Sequence, residues 1–561
     1  MNFRRSVRLL PALLTMSVLA ACSDPDTVTW RGVTMDAETF ADWESTAIMG
    51  GPLRPAQAAY DVRHYDLDIA IHPDDKRVAG SNAIRVNVVM PLDVFEIPLD
   101  HRLELKGVIV DGEPAATATH SDNLVRVAIP GGWQPGETHV VTVSYAGKPF
   151  EALVPPWKDG WVWSHSADGS HWAGTTSQGS GGDLWWPVKD HPSDEPDEGM
   201  TITLDVPAGL VGLTNGRKLA EREENGRNIT EWRVHYPINQ YGVAITLGPF
   251  VPIETTYTRL DGQTETIIFW ALPEHEEKAR AMWLEQGPKI LGAFAERFGE
   301  YPFWKDKYWV VETPYLGMEH QTIVAYGSDF EINDYGFDSL LLHETAHEWW
   351  GNKVSASDWA DWWIHEGFGS YAHAEFVDVT SGKERYLEYM RERCSPEAIR
   401  GFRNPVIRGT DQVAEQAYVP EVYSKASCVI HTLRWLMEDE DFHNAVYRFQ
   451  NDPAFAYRTA TNRDFMNLVA DIEGRPYDWF FDRYFWQTEI PRWTMTRDGE
   501  TLHLAWDDPM FQLPIPVSVN GEMHRVDMTE GDGELSVPAD AEVKVDPDGW
   551  LLALPAEGMK L

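Results

Sequence analysis

The sequence predicts a multidomain α+β protein, because three kinds of pattern follow one another along its 561 residues. Alternation of apolar and polar residues, which is typical of half-buried strands, dominates residues 59–252. Helical periodicity dominates residues 253–490, and alternation returns in residues 491–561. A chain that passes from strands to helices and back to strands favours separate domains over one mixed layer.

Composition and charge limit the kinds of partner. Hydrophobic residues make up 43% of the chain and charged residues 24%, values typical of a folded globular protein. The formal net charge is −41. Proteins that bind nucleic acid present a basic surface to its phosphates, so this balance argues against a nucleic-acid partner. We expect an acidic, well-solvated surface instead.

Residues 1–21 have the pattern of a signal peptide. Three arginines among the first eight residues precede an apolar stretch that is too short to span a bilayer comfortably. The stretch runs into Leu19-Ala20-Ala21-Cys22, which resembles the lipobox of bacterial lipoproteins and makes Cys22 the expected lipidation site. The alternative is an ordinary secretory signal in which Cys22 is incidental.

The lipobox resemblance implies a bacterial cell-envelope protein that touches the membrane only through a lipid anchor. Ser23 follows the cysteine, which in such lipoproteins favours the outer membrane, with the body facing the periplasm or the exterior. Residues 22–58 are polar and lack periodicity, so we expect them to form a tether. No later segment is apolar and long enough to span a membrane.

Residues 59–252 are expected to form one antiparallel β domain. Apolar and polar residues alternate at 65–71 and again at 84–88, as in strands with one buried face. Turns between such runs are supplied by Asp111-Gly112, Pro135-Gly136 and Asn215-Gly216.

Residues 253–490 are expected to be mainly helical. An apolar face runs from about residue 274 to 298, and Gly299 ends it. Thr461, with Asp464 three residues later, forms a plausible N-terminal cap. Further helices are predicted at about 338–351, 366–379, 383–393, 426–440 and 462–473.

The last 71 residues, 491–561, are expected to form a small β domain. Alternation at 502–506 and 514–519, with Asn520-Gly521 as a turn, indicates its strands. Cys394 and Cys428 are the cysteines after Cys22. Two thiols do not make a disulfide framework, and whether these two bond each other stays open.

The strongest chemical signal is His343-Glu344-Thr345-Ala346-His347, an H-E-x-x-H motif in a helical, apolar context. Residues i and i+4 share one helix face, so the two imidazoles can bind one Zn²⁺. Glu344 follows the first ligand, where its carboxylate can reach a water on the metal. The alternative is a surface helix with two solvated histidines.

A catalytic zinc site needs a third protein ligand, and Glu366 is the candidate. It lies nineteen residues after His347, which leaves room for a helix, a turn and the start of a second helix. Trp363, Gly367 and Phe368 flank it, and an unpaired carboxylate in such apolar surroundings would be costly. We therefore predict one zinc ion per chain, held by these two histidines and this glutamate.

These segments resemble a known family. His343 to His347, Trp349-Trp350-Gly351-Asn352 and Trp363 to Phe368 look like the signature of the aminopeptidase N and leukotriene hydrolase family of zinc metallopeptidases. The family pattern at the third ligand is W-L-N-E-G-F, and this chain has His365 in place of the Asn. Seven residues past that ligand, His373 stands where the family often has Glu.

The resemblance extends to the substrate cleft. Leu316 to His320 resembles the G-x-M-E-N loop that lines the cleft, which implies that Gly317 and Met318 line it here. The Glu of that loop holds the substrate's free α-amino group, and Glu319 occupies its place.

Two further segments match the family. Tyr423-Ser424-Lys425-Ala426 resembles the Y-x-K-G stretch, which implies that Tyr423 hydrogen-bonds the tetrahedral intermediate. Trp186 to Asp190 resembles F-P-C-x-D-E-P, and counting back from it places Gln178 at a second amine-contacting position.

What the resemblance implies is a saddle-like N-terminal β domain, a thermolysin-like catalytic domain and a small C-terminal β-sandwich, without the long helical domain common at the family's C-terminus. The implied activity is a zinc-dependent aminopeptidase acting on peptides with a free N-terminus, with Glu344 as general base. The alternatives are an endopeptidase or epoxide hydrolase on the same scaffold, and a zinc-binding lipoprotein without catalysis. The oligomeric state is left open.

Overall fold

The computed structural model describes residues 27–46 and 48–559. The predicted signal peptide and Cys22 lie outside these residues. Among the described residues, no helix combines the length and the apolar character needed to cross a bilayer.

The segment expected to be a tether is folded from residue 27 onward, which corrects that expectation. Trp43 is buried, and the ammonium of Lys158 lies 4.0 Å from its ring centroid. Ala414 N–H donates to the carbonyl of Met49 at 3.0 Å. These apolar side chains are scattered along the segment, so no periodicity reveals them. The elements are β1 (Thr27–Trp30), β2 (Val33–Asp36), α1 (Ala37–Thr46) and α2 (Pro55–Ala58).

The N-terminal β region forms three sheets around one buried core. Its strands are β3 (Tyr60–His72), β4 (Arg77–Val88), β5 (Leu92–Pro98), β6 (Leu103–Val110), β7 (Glu113–Pro114), β8 (Ala118–Ser121), β9 (Leu124–Trp133), β10 (Thr138–Gly147), β11 (Gly160–His165), β12 (His171–Thr176), β13 (Met200–Pro207), β14 (Val211–Thr214), β15 (Arg217–Glu224), β16 (Arg227–Val234) and β17 (Ile245–Gly248).

The largest of these sheets has eight strands in the order β15-β16-β13-β3-β4-β10-β6-β7. The predicted alternation is visible in β3, where Leu67, Ile69 and Ile71 are buried and the residues between them are not. The pairing is antiparallel except between β3 and β13, which run parallel. More than a hundred residues separate these two strands, so no hairpin turn dictates their direction. A second sheet has four strands in the order β11-β12-β17-β14.

The helical region begins with a five-stranded sheet of order β18-β19-β20-β22-β21, over which its first helix packs. The strands are β18 (Val251–Thr258), β19 (Thr264–Ala271), β20 (Trp309–Glu312), β21 (Gly317–Met318), β22 (Ile323–Tyr326), β23 (Val354–Ala356) and β24 (Arg458–Ala460). The helices are α3 (Glu276–Phe298), α4 (Ser339–Ala346), α5 (Trp363–Ser381), α6 (Lys383–Arg393), α7 (Pro396–Ile399), α8 (Ala414–Ala417), α9 (Ser424–Asn451), α10 (Asn462–Glu473) and α11 (Asp478–Phe485).

The helix predictions hold where end signals were strong. Helix α10 has the predicted bounds, and Thr461 and Asp464 form a complete capping box at its start. Helix α3 ends before Gly299, as expected. Helix α4 is shorter than predicted, because the chain turns after Ala346 and reaches Gly351 with a φ of 129°.

A small C-terminal region places two sheets, β29-β26-β25-β31 and β28-β27-β30, on the same core as the helices. Its strands are β25 (Arg492–Asp498), β26 (Thr501–Trp506), β27 (Ile515–Val519), β28 (Glu522–Val526), β29 (Asp532–Ser536), β30 (Val543–Val545) and β31 (Leu554–Pro555). The mixed architecture agrees with the predicted α+β class. Cys394 and Cys428, left open by the sequence, form a disulfide between the end of α6 and α9.

Candidate metal centre and active site

Helices α4 and α5 bring the three predicted metal ligands together. His343 lies in the last turn of α4, His347 directly follows that helix, and Glu366 lies in the first turn of α5. The two Nε2 atoms are 3.2 Å apart. Glu366 Oε2 lies 3.3 Å from His343 Nε2 and 3.5 Å from His347 Nε2. The three ligand atoms thus form a nearly equilateral triangle.

The triangle fits a tetrahedral zinc ion. Zinc–ligand distances of about 2.0–2.1 Å require tetrahedral ligand atoms to be about 3.3–3.4 Å apart. Glu366 Oε2 is fully buried and has no hydrogen-bond partner, a costly state that a bound cation relieves. Two imidazoles and one carboxylate are also the donor set of many catalytic zinc sites. The residues present therefore fit the metal that the sequence predicts.

The electrostatics of the centre also favour a cation. Burial lowers the pKa of His347, but the carboxylates of Glu366, Glu319 and Glu344 together raise it to about 10. Ligand atoms of Glu319, Glu344 and His347 lie within 4.8 Å of one another. Three buried carboxylates around one imidazole attract positive charge strongly.

The orientation of His347 depends on groups that the motif does not contain. Its Nδ1–H donates to the carbonyl of Trp350 at 2.9 Å, which leaves the Nε2 lone pair for the metal. Gly369 lies against the imidazoles: a Cβ on it would be 2.9 Å from His347 Cε1 and 3.3 Å from His343 Cε1. Helix α5 can pass this close only because residue 369 has no side chain.

Glu344 lies beside the triangle and has the properties of a general base. It is 6% exposed, and burial raises its pKa well above the usual value. A Cβ on Gly317 would be 2.7 Å from Glu344 Oε1, so this glycine of the cleft loop leaves room for the carboxylate. A buried carboxylate with a raised pKa accepts a proton more readily than a solvated one.

Tyr423 approaches the metal centre from the start of α9. Its hydroxyl donates to Glu366 Oε1 at 2.8 Å, and its ring lies 6.2 Å from that of His343. Burial raises its pKa well above 10, so the hydroxyl keeps its proton at neutral pH. Tyr423 and His343 are partly exposed, whereas Glu366 and His347 are buried, so the metal centre is open to solvent on the side of Tyr423 and His343.

Glu319 lies beside the metal centre, and Gln178 hydrogen-bonds its carboxylate. Gln178 Nε2 donates to Glu319 Oε1 across the boundary between the N-terminal β region and the helical region. The loop that carries Gln178 is fixed by Asp159, whose carboxylate accepts from Gly179 N–H at 2.6 Å. Met318 packs in the same buried cluster as Met49 of the N-terminal segment.

One residue of this site has no signal in the sequence. The hydroxyl of Tyr241, from a turn of the N-terminal β region, lies 3.2 Å from His365 Nδ1, and Tyr241 is near enough to the Glu319 carboxylate for each group to shift the pKa of the other. No motif surrounds Tyr241, and an alignment or a structure is needed to find it. His365 therefore contacts Tyr241 and is not part of the ligand triangle.

The other histidines that stand where the family pattern has a different residue are also outside the ligand triangle. The Tyr389 hydroxyl lies 3.2 Å from His373 Nδ1, and the His373 ring is 5.6 Å from that of His343. His320 is buried and neither of its ring nitrogens has a hydrogen-bond partner. A further carboxylate cluster, Glu375 with Asp378 and His443, is compensated by Arg434 and Arg297 and needs no metal.

Residues 283–484 match the model of the peptidase family M1 domain. A leucyl aminopeptidase of Saccharolobus solfataricus is 21% identical over 416 residues, which are 68% of this chain and 50% of that protein. An aminopeptidase N of Haemophilus influenzae is 23% identical over 369 residues, which are 60% of this chain and 42% of that protein. The chain spans about half the length of the curated relatives it matches.

Among solved structures, a variant of an M1 zinc metallopeptidase from Deinococcus radiodurans, bound to a Tyr-Ser-Ala substrate, is similar with a TM-score of 0.65. The similarity covers 79% of this chain and 96% of that chain at 22% sequence identity, and it establishes the shared fold. The ligand triangle lies within residues 283–484, so the match to the peptidase family M1 domain and the geometry of the metal centre agree.

Proposed function

We propose that this protein is a zinc-dependent aminopeptidase that hydrolyses the N-terminal peptide bond of peptides. The observation that carries the proposal is the triangle of His343, His347 and Glu366, at zinc spacing, beside the buried carboxylates of Glu344 and Glu319. The relatives named aminopeptidases support the substrate class, and one zinc ion per chain agrees with one such triangle among the described residues.

His343, His347 and Glu366 would hold the zinc, which when bound supplies Lewis-acid activation of water and carbonyl. Glu344 accepts the proton of the attacking water and passes it to the leaving amine. The Tyr423 hydroxyl donates to the carbonyl oxygen as negative charge develops there, which is commonly the largest electrostatic contribution in such reactions.

Glu319, with Gln178 and Tyr241, accepts the free ammonium of the substrate. Its carboxylate lies within 4.8 Å of ligand atoms of both Glu344 and His347, so the ammonium and the reacting bond are held close together. This short distance leaves room for one residue before the scissile bond. Anchoring the ammonium also orients the substrate, which lowers the entropic part of the barrier.

The same proposal includes location. Cys22 carries the lipid, and the folded body beyond residue 27 is held at a bacterial envelope membrane, with the outer membrane favoured by Ser23. Peptides with a free N-terminus are the partners. A Cys22→Ser protein should lose incorporation of labelled lipid and leave the membrane fraction, while retained incorporation would contradict anchoring at Cys22.

The test of activity combines metal analysis with turnover. We expect about one zinc per chain, loss of aminoacyl-reporter hydrolysis on chelation, and recovery with zinc. Glu344→Gln should keep zinc and lose nearly all turnover, whereas Glu296→Gln, an exposed glutamate of α3, should change neither. Full activity without metal would contradict the proposal. Rapid internal cleavage of N-acetylated peptides would favour the endopeptidase alternative.

A further inference from the structure

A chain of hydrogen bonds leads from a backbone amide to the amine-binding carboxylate. Ala356 N–H, in β23, donates to His365 Nε2 at 2.8 Å. A backbone amide can only donate, so Nε2 must be the acceptor and the ring hydrogen must be on Nδ1. The protein backbone thereby selects the tautomer of His365.

The direction of the next bond follows from that tautomer. His365 Nδ1 lies 3.2 Å from the Tyr241 hydroxyl oxygen, so Nδ1–H donates and the oxygen accepts. The hydroxyl hydrogen of Tyr241 is then not needed by His365 and can turn toward the neighbouring carboxylate of Glu319, which interacts electrostatically with Tyr241. We name this chain, Ala356–His365–Tyr241–Glu319, the amine-site relay.

Burial raises the energetic cost of breaking the amine-site relay. His365 is 1% exposed, Tyr241 0% and Glu319 3%, so water cannot take over a missing partner. The rings of His365 and Tyr241 are stacked, with centroids 6.2 Å apart, and Trp359 packs against both. Hydrogen bonds in such low-dielectric surroundings are stronger, and an unpaired group there is more costly, than at a surface.

We propose that His365 is a positioning residue for amine recognition, acting through Tyr241 on Glu319. A carboxylate has about four acceptor positions. Gln178 donates to Glu319 Oε1, and the Tyr241 hydroxyl would occupy a second acceptor position, which leaves the others for the substrate ammonium. The inference rests on the proposed aminopeptidase function and adds that selection of a free N-terminus depends on a residue that touches neither substrate nor metal.

The chain offers matched variants. His365→Leu removes both ring nitrogens, whereas the carboxamide of His365→Asn ends near the place of Nδ1 and can still donate to Tyr241. Tyr241→Phe removes the hydroxyl itself. If the relay is correct, His365→Asn should retain more amine recognition than His365→Leu. Asparagine and leucine are both uncharged and non-aromatic, so the difference would report the hydrogen bond to Tyr241.

Binding is measured by calorimetry on the zinc-loaded full-length protein carrying Glu344→Gln, which prevents turnover. The probes are a dipeptide amide with a free N-terminus and its analogue lacking the α-amino group. We expect Tyr241→Phe and His365→Leu to weaken binding of the free amine about 10- to 100-fold, the usual effect of losing one bond to a charged group. The des-amino analogue should change less than about twofold, and zinc content should not change.

The double variant distinguishes positioning from independent packing. If His365 acts through Tyr241, the two losses should not multiply, and His365→Leu with Tyr241→Phe should bind like Tyr241→Phe alone. Multiplied losses, or unchanged free-amine binding by His365→Leu, would overturn the inference. Either of these results would still be compatible with zinc-dependent turnover by the unsubstituted protein, and so with the proposed function. Absence of that turnover would instead reject the proposed function, and the inference with it.

Discussion

Gly369→Ala should weaken zinc binding without unfolding the protein. Gly369 lies inside α5, beneath the two imidazoles of the ligand triangle. The added Cβ would meet His347 Cε1 at 2.9 Å, His347 Nε2 at 3.2 Å and His343 Cε1 at 3.3 Å. Carbon atoms in favourable contact are about 3.5–4.0 Å apart, so the His347 ring must withdraw by roughly 0.5 Å or more.

The expected effects on zinc and on folding differ in size. Metal sites hold their ligand distances to within about 0.2 Å, so a displacement of roughly 0.5 Å breaks the tetrahedral geometry. Changes that merely misorient a ligand typically cost about 10- to 100-fold in metal affinity, and we expect at least that loss here. Replacing glycine by alanine inside a helix stabilises folding by about 0.5–1 kcal/mol, which offsets strain in the metal-free protein.

The assay is competition for zinc against a chromophoric chelator, with thermal unfolding of the metal-free protein measured in parallel. Gly292→Ala is the control, because this α3 glycine has open space around its Cβ position. It should raise the melting temperature slightly and leave zinc affinity unchanged. If Gly369→Ala bound zinc as tightly as the parent, the close approach of α5 would not determine the metal geometry.

Three further outcomes are expected. Tyr423→Phe should keep zinc and lower kcat by about 10²–10³, the usual effect of losing one oxyanion donor; unchanged single-turnover rates would make the hydroxyl structural. Burial raises the pKa of Glu375, but the Arg434 guanidinium and neighbouring charges lower it to about 2, below the unfolded value of 4.5. Its contribution of about 3 kcal/mol to the free energy of unfolding is therefore present above pH 4.5 and lost as the pH falls toward 2. The denaturant concentration at the unfolding midpoint should fall over that pH range, and Arg434→Met should reduce this dependence on pH. An equal pH dependence in both proteins would reject the assignment. Reducing the Cys394–Cys428 disulfide, which spans 34 residues, should lower the unfolding free energy by about 4 kcal/mol on the chain-entropy account, and identical midpoints with and without reductant would contradict it.

Much of the fold could be predicted because its signals are local. The alternation that defines β3, the glycine that ends α3 and the capping box of α10 each depend on residues within one element. The parallel pairing of β3 with β13 could not be predicted, because direction between distant strands depends on the path of the whole chain. Nor could the packing of the segment around Trp43, which buries isolated apolar side chains without any period.

The candidate active site could likewise be predicted only in part. The H-E-x-x-H pair and a candidate third ligand could be predicted from the sequence, because residues four apart on a helix share a face and because Glu366 has a recognisable apolar context. The room that Gly369 leaves for the imidazoles, and the proximity of Tyr241 to Glu319 from another region of the chain, could not be predicted in this way. Such contacts depend on how separately folded elements pack, and side chains brought together by packing need no shared spacing or motif in the sequence.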